Sequence, residues 1–430
     1  MQSIQSCSAD SSPIPSVQGV SEALRSCPGG LRLGFHSASS STNVAAAHGV
    51  AAALHEIHQS GGLANASYRP VGYSRGAALR AGLELIQNDR VHAVVGGGSS
   101  AISIYAQSIF ALAGIPQVAH SSTAVILSDR ASFPTFSRVV PPDSLQGDAL
   151  AVVSSRLGWL HVAVVSSSDE YGRGLAFTFI SALRRNGGRA LLDISSGSGD
   201  GESAVVDSVA AVRAVRARVV ALFVSNREMA REWLLQAAKQ AVSASYLAPD
   251  SWLSSISAMD VSLRGLSVLG TNPFSPSSGA QYQQFVRHWR AAPPVPHPEL
   301  QCDQRCRERP AWAGMYAYDA TRLIFRAWSI AQQQGLEPHN LSSGSLLSAI
   351  RSVGLPDGLT SNLSILSNGE PSTGFYDLMQ FGCSNLSTTP SLRRVGTLQR
   401  NVCAHPNQTL HCGCATAHHV VPLPANLHQA

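Results

Sequence analysis

The chain has 430 residues, 44% of them apolar and 13% charged, a content that suits two well-buried domains and excludes a disordered chain. Its net charge of +5 comes from 31 scattered basic residues, all arginine but Lys239, against 26 acidic ones; no basic stripe interleaved with aromatics occurs, so nucleic-acid binding is not expected. No apolar run of about 18 residues is present, so no segment is expected to span a membrane, and the opening MQSIQSCSADSSPIPS lacks the basic start and apolar stretch of a signal peptide.

Residues 1–27, rich in Ser and Pro, read as a flexible segment. LRLGF (31–35) reads as a strand, NVAAAHGVAAALHEIH (43–58) and ALRAGLELIQN (78–88) as helices, and VHAVVGG (91–97) as a short strand. SAISIYAQSIFALAG (100–114) reads as a helix stopped by Gly114, and IPQVAH (115–120) as another strand. This rhythm predicts a mostly parallel, doubly wound sheet. A second round follows RVVPPDSLQ (138–146). HVAVVSS (161–167), RALLDI (189–194), RVVALFVS (218–225) and SYLA (245–248) read as strands; RGLAFTFISALRRNGG (173–188), ESAVVDSVAAVRAV (202–215) and NREMAREWLLQAAKQ (226–240) read as helices. The pattern then breaks into a Pro-rich loop, SPSSG to APPVPHPEL, before helical text resumes at AGMYAYDATRLIFRAWSIAQQ (313–333). Two α/β units predict two lobes, and ligands of such sheets sit at the carboxyl ends of the strands.

Two strand ends carry the chemistry. Gly96, Gly97, Gly98, Ser99 and Ser100 close one strand and open a helix, whose N-terminus presents N–H groups and partial positive charge. A serine N-cap is the plain alternative. The next strand runs into Ser121, Ser122 and Thr123. Together these ends predict a donor-rich pocket for a carboxylate. Rival readings fare worse. Gly96-x-Gly98-x-x-Ala101 loosely fits a dinucleotide fingerprint, but the following strand ends in Ala119-His120 where an acid is required. Ser99 is followed by Ser100-Ala101 and so misses the G-x-S-x-G elbow. Gly197–Gly201 has no Lys-Ser/Thr after it and is not a P-loop. No catalytic residue, metal ligand or cofactor is assigned; an enzyme built on Ser99 or Ser100 stands as the alternative from another class.

Eight cysteines flank a cysteine-free stretch from 28 to 301. An even, clustered count allows disulfides without fixing their pairing, and unpaired loop cysteines are the alternative. Five N-x-S/T sequons begin at Asn65, Asn340, Asn362, Asn385 and Asn407, which favours the secretory side and a glycoprotein.

VVGGGSSA, GIPQVAHSSTAVILSDR, FSRVVPPDSLQGDAL, SSDEYGRG and TGFYDLMQF resemble, in order and spacing, the ligand-binding region of class C G-protein-coupled receptors of the metabotropic-glutamate type. The likeness is dense from Val91 to Gly174 and thins toward residue 400. It implies a two-lobed α/β Venus flytrap of the type I periplasmic-binding-protein fold, each lobe a mostly parallel sheet flanked by helices. Lobe 1 would comprise 28–139 plus 273–372, lobe 2 140–272 plus 373–400, and 401–430 a Cys-containing tail. It also implies an amino-acid site. Ser99, Ser100, Ser121 and Thr123, on lobe 1, would hold the α-carboxylate, with Thr123 also helping to hold the ammonium. Tyr171, Asp250 and Asp143 would surround the ammonium. The helix NVAAAHGVAAALHEI has none of the basic side chains that hold the distal carboxylate in the glutamate receptors, so the implied ligand is a zwitterion other than glutamate, with His48 or Arg75 as possible substitutes. Cys302 and Cys306 lie where relatives carry a disulfide-bonded loop. The resemblance further implies a homodimer through lobe 1, an extracellular or secreted location and membrane attachment only through a module absent from this chain. The alternatives are the ectodomain of a receptor guanylate cyclase or ionotropic receptor, or a soluble amino-acid-binding protein.

Overall fold

The computed structural model describes residues 30–38, 40–71, 74–196, 201–256, 266–334, 343–382 and 391–401. The chain divides into two compact units: unit 1 takes Met1–Ser122, Asp129–Val139 and Pro276–Glu370, and unit 2 takes Thr123–Ser128, Val140–Ser275 and Pro371–Ala430.

Unit 1 begins β1 (Leu31–Ala38), α1 (Ser41–Gln59), β2 (Ala64–Val71), α2 (Arg75–Gln87), β3 (Ala93–Gly96), α3 (Ser100–Ala113), β4 (Gln117–Ala119) and β5 (Phe136–Arg138). The five strands are all parallel, in the order β2-β1-β3-β4-β5. Parallel strands covered on both faces read as continuous apolar runs, which is why VHAVV and IPQV are recognisable from sequence. Each of these three helices has a serine N-cap: Ser40, Ser74 and Ser99 accept from the N–H of Asn43, Ala77 and Ile102. Gly114 ends α3 at φ 69°, in the left-handed region that suits glycine. β2 was not expected. Its text, ANASYRPV, is half polar and carries Pro70, a combination tolerated because β2 is an edge strand with one unpaired side.

Unit 2 continues with α4 (Asp143–Arg156), β6 (His161–Ser167), α5 (Glu170–Arg185), β7 (Arg189–Ser196), α6 (Gly201–Ala214), β8 (Val219–Phe223), α7 (Arg227–Lys239), β9 (Ser245–Ala248), a helical turn Asp250–Leu253 and β10 (Ser267–Pro273). Unit 1 resumes with α8 (Ala280–Ala291), α9 (Trp312–Gln333) and α10 (Ser343–Ser352), and unit 2 closes with β11 (Thr373–Gly382) and β12 (Ser391–Asn401). The second sheet runs β12-β11-β10-β9-β8-β6-β7, antiparallel across β10, β11 and β12 and parallel elsewhere. Alternation along β6 sends Val162 and Val164 toward Leu150 and Phe179 of α4 and α5, and Ala163 and Val165 toward Val212 and Trp233 of α6 and α7.

Two unexpected elements follow SYLA: β10, ahead of the Pro-rich text, and α8, within it. In α8, Phe285 and Trp289 are fully buried and lie one turn apart with ring centroids at 5.3 Å. Cys302 and Cys306 form a disulfide; Cys7, Cys27, Cys383, Cys403, Cys412 and Cys414 lie outside the described residues. Asn65 and Asn362 are exposed, and the sequons at Asn340, Asn385 and Asn407 lie outside the described residues. Among the described residues no helix is long and apolar enough to cross a membrane.

Candidate functional site

In unit 1 the serines stand at the carboxyl ends of β3 and β4. Ser99 caps α3 and is half-buried, while Ser100 is the first helical residue and is buried. Of the hydroxyl run after β4, Ser122 is the structural member. It is fully buried and donates to the Gly97 carbonyl at 2.8 Å, while Ser103 Oγ lies 2.8 Å from it. Ser103 in turn accepts from the Gly97 N–H at 3.1 Å and from Gln117 Nε2 at 2.8 Å. That leaves Ser103 to donate to Ser122, so every hydrogen-bonding position of its hydroxyl is filled. Gln107 and Thr135 extend the chain through Gln117 Oε1 and Gln107 Oε1, at 2.8 and 3.0 Å. This buried network holds the β3 and β4 ends rigid. Ser121, half-buried, reaches the Gly97 carbonyl only at 3.4 Å, so its hydroxyl is weakly committed.

Two further features lock this end. The fully buried Arg138 grips Glu370 through Nε at 2.6 Å and Nη2 at 2.9 Å, and donates Nη1 to the Ser122 carbonyl at 3.2 Å. Gly98 has no room for a side chain: a Cβ there would overlap Ser37 Oγ and Asn43 Oδ1. We expect Gly98→Ala to push the first turn of α1 off the strand ends and to lower the melting temperature by several degrees; a melting curve superposable on the parent disproves the tight fit. His120, just past β4, lies flat against Phe35 with centroids 5.8 Å apart, and burial pushes its pKa down to about 3. It therefore stays neutral at physiological pH.

Unit 2 carries the acidic residues. Asp169 caps α5 by accepting from the Gly172 N–H at 2.8 Å and is itself held by Ser167 Oγ at 2.9 Å. A Cβ on Gly172 would fall 2.5 and 2.6 Å from the Ser167 backbone, so glycine lets the helix start close against the end of β6. That places Tyr171, whose hydroxyl donates to Asp250 Oδ1 at 2.9 Å with both residues buried. Asp250 opens the helical turn after β9. The turn is pinned by Trp252 Nε1 on the Leu222 carbonyl at 3.0 Å and Ser251 Oγ on the Val224 carbonyl at 2.7 Å. Burial raises the Asp250 carboxyl, opposed by hydrogen bonds from Tyr171, Gln146 and the backbone. Burial, then Asp250 and Asp143, raise the Tyr171 phenol well above its usual value. Asp143 is fully buried as the first residue of α4, and its N–H donates to the Thr123 carbonyl at 2.8 Å.

Thr123 departs from the expected grouping. It belongs to unit 2 with Val125–Ser128 and not with Ser99, Ser100 and Ser121 in unit 1. The Asp143 hydrogen bond ties it there, and Val125 packs where Gly174 leaves space on α5. Unit 1 therefore brings three hydroxyls to its strand ends, and unit 2 brings one hydroxyl, a phenol and two carboxylates to its own. Sequence reasoning missed Gln146, which faces Asp250 one turn into α4 and donates to Thr271 Oγ1 at 3.2 Å. Its spacing of three from Asp143 was the available signal. His48, a suggested substitute for a distal basic group, is fully buried with Nε2 2.8 Å from the Trp289 carbonyl, and burial lowers its pKa. Arg75 is exposed, 5.9 Å from the Tyr105 ring centroid.

The chain matches the model of the receptor family ligand binding region over residues 45–382. It is 41% identical over 100 residues to metabotropic glutamate receptor 6 of Oryctolagus cuniculus, 23% of this chain and 12% of that receptor. It is 31% identical over 173 residues to metabotropic glutamate receptor 8 of Homo sapiens, 39% of this chain and 19% of that receptor. The match thus spans less than a fifth of these relatives' length. A leucine binding protein, LivK, from Thermotoga maritima MSB8 has the same fold, with a TM-score of 0.69 over 86% of this chain and 98% of that one at 18% identity. These relatives are receptors and a binding protein. On the family match, the sheet order and the shared motifs, this chain belongs to the receptor family ligand binding region, as a class C receptor-like Venus flytrap of the periplasmic-binding-protein fold.

Proposed function

We propose that this chain is the extracellular ligand-binding part of a receptor that senses a small zwitterion, an amino acid other than glutamate, and relays its binding by lobe closure to a module beyond it. One observation carries the reading. Asp250 is buried beside Tyr171, and among the described residues no basic side chain pairs with it; a buried carboxylate of this kind is stabilised by a cationic ligand. In this reading the ammonium rests against Asp250, Asp143 and the Tyr171 ring, with Thr123 beside it. The carboxylate takes N–H and hydroxyl donors from Ser99, Ser100 and Ser121 at the start of α3. The full commitment of His48 to the core supports a ligand without a distal acidic group.

The test is a thermal-shift screen of the glycosylated, secreted protein against the twenty amino acids. A true ligand at 100 times its dissociation constant adds about 2.7 kcal/mol, and Thr123→Ala and Tyr171→Phe each shrink that gain. A screen without hits, or a hit indifferent to both variants, removes the proposal. The homodimer belongs to the same reading. The outer face of α2 and α3 exposes Leu83 at 40% and Leu112 at 76%, apolar area suited to a self-complementary contact. Leu112→Asp is expected to weaken dimerisation at least tenfold in sedimentation, and an unchanged dimer places the contact elsewhere.

A further inference from the structure

Away from both groups of site residues, two metal-ligating side chains meet across a helix pair in unit 1. His55 of α1 and His288 of α8 bring their Nδ1 atoms to 3.2 Å, with ring centroids 5.5 Å apart and planes at 59°. Their separation is set by the core. Two turns earlier on α1, His48 packs edge-on against Trp289 at 4.6 Å, and that tryptophan sits next to His288 in α8. Both histidines are half-buried and open to solvent on one side.

Tetrahedral zinc with Zn–N bonds of about 2.0–2.1 Å holds two imidazole nitrogens roughly 3.3 Å apart. The spacing of His55 and His288 is close to that. The rings meet nearly head-on, the arrangement of an N–H···N bond, and a small rotation of each about its outer torsion aims both lone pairs at one point. The neighbouring carboxylate, Glu56, is already held by Tyr318 at 2.6 Å, Arg322 at 3.1 Å and Gln284 at 2.7 Å, so it is not a ligand. Gln59 lies 3.4 Å from the far nitrogen of His55. With its amide turned so that the oxygen faces the ring, it accepts the Nε2–H that an Nδ1 ligand carries. Among the described residues no three His, Cys, Asp or Glu side chains gather into a metal cage, so water fills the remaining positions. Such a site exchanges its metal readily, unlike a closed structural one.

We propose that His55 and His288 form an exchangeable zinc site that ties α8 to α1. The test titrates ZnCl2 calorimetrically into the tag-free full chain, into His55→Gln and His288→Gln, and into a control, His161→Gln, at the exposed start of β6. The parent and the control are expected to bind a zinc equivalent that each of the two variants binds at least tenfold more weakly. A titration unchanged in either variant, or lost equally in the control, overturns the pair. A second readout needs no variant: zinc protects His55 and His288, but not His161, from diethyl pyrocarbonate several-fold by mass spectrometry. Equal modification with and without zinc overturns the proposal.

Discussion

Glu370→Ala is expected to destabilise unit 1 by about 3–5 kcal/mol, the usual consequence of removing one partner of a buried ion pair. Arg138 is fully buried and the Glu370 side chain is 4% exposed. Arg130 also reaches Glu370, at 2.7 Å, and its pKa is pushed down to about 10, first by burial and then by Arg138 and Arg351 despite the opposing pull of Glu370. Without Glu370, guanidinium groups crowd together with their carboxylate gone. Thermal unfolding followed by circular dichroism should show a melting temperature lower by roughly 6–20 °C for a unit of this size. Arg138 also fixes the Ser122 carbonyl, so any amino-acid response should weaken in the same variant. Glu370→Gln, which keeps the hydrogen bonds and loses the charge, should fall between. A loss under 1 kcal/mol in Glu370→Ala sinks the claim that this pair organises the β4 end.

Asp250→Asn is expected to separate stability from binding. Burial raises the carboxyl of Asp250 in the folded protein above its unfolded value. A raised carboxyl contributes stability that is fully present below the unfolded value and is lost as pH rises through the folded value. At neutral pH, above the unfolded value, the ligand-free parent therefore bears a stability cost for this buried carboxyl that asparagine does not carry. The ligand-free variant should melt higher than the parent at neutral pH and approach it as pH falls toward the ordinary carboxylate range. The same change removes a charge-assisted hydrogen bond of about 1.5–3 kcal/mol to an ammonium, so the binding constant of any screened amino acid should fall roughly 10- to 150-fold. Calorimetry and melting curves across pH read both effects. If the variant binds as tightly as the parent, the ammonium does not rest on Asp250.

The parts of this architecture legible in the sequence were those written locally. Strands such as HVAVVSS and SYLA coincide with β6 and β9 because apolar runs on both faces leave no ambiguity. Gly114 and the serine N-cap of α3 marked helix ends by chemistry confined to a turn. Of the elements that escaped, three did so for nameable reasons. α4 begins behind Pro141 and Pro142, and its buried residues run round the helix and do not keep to one face, so no helical period marks it. α8 is bracketed by Pro-rich text that hides the Phe285–Trp289 spacing. β2 carries Arg69 and Pro70 because only an edge strand tolerates them. In the candidate site the family motifs pointed to Tyr171 and Asp250, 79 residues apart. The division of labour among Ser121, Ser122 and Thr123 was not legible. It depends on Gln117, Ser103 and Arg138, whose partners lie 6 to 232 residues away.

The Arg138–Glu370 pairing also dictates an order of events during synthesis. Arg138 leaves the ribosome 232 residues before its partner, a delay of roughly 12–46 s at ordinary elongation rates. In that interval α4 to α7 and strands β6 to β10 of unit 2 can assemble, while the β1–β5 sheet waits for α8, α9 and its missing anion. The nascent chain thus carries a half-covered sheet and an unneutralised guanidinium for about half of its translation, an interval in which uncovered apolar surface on the first 140 residues is open to aggregation.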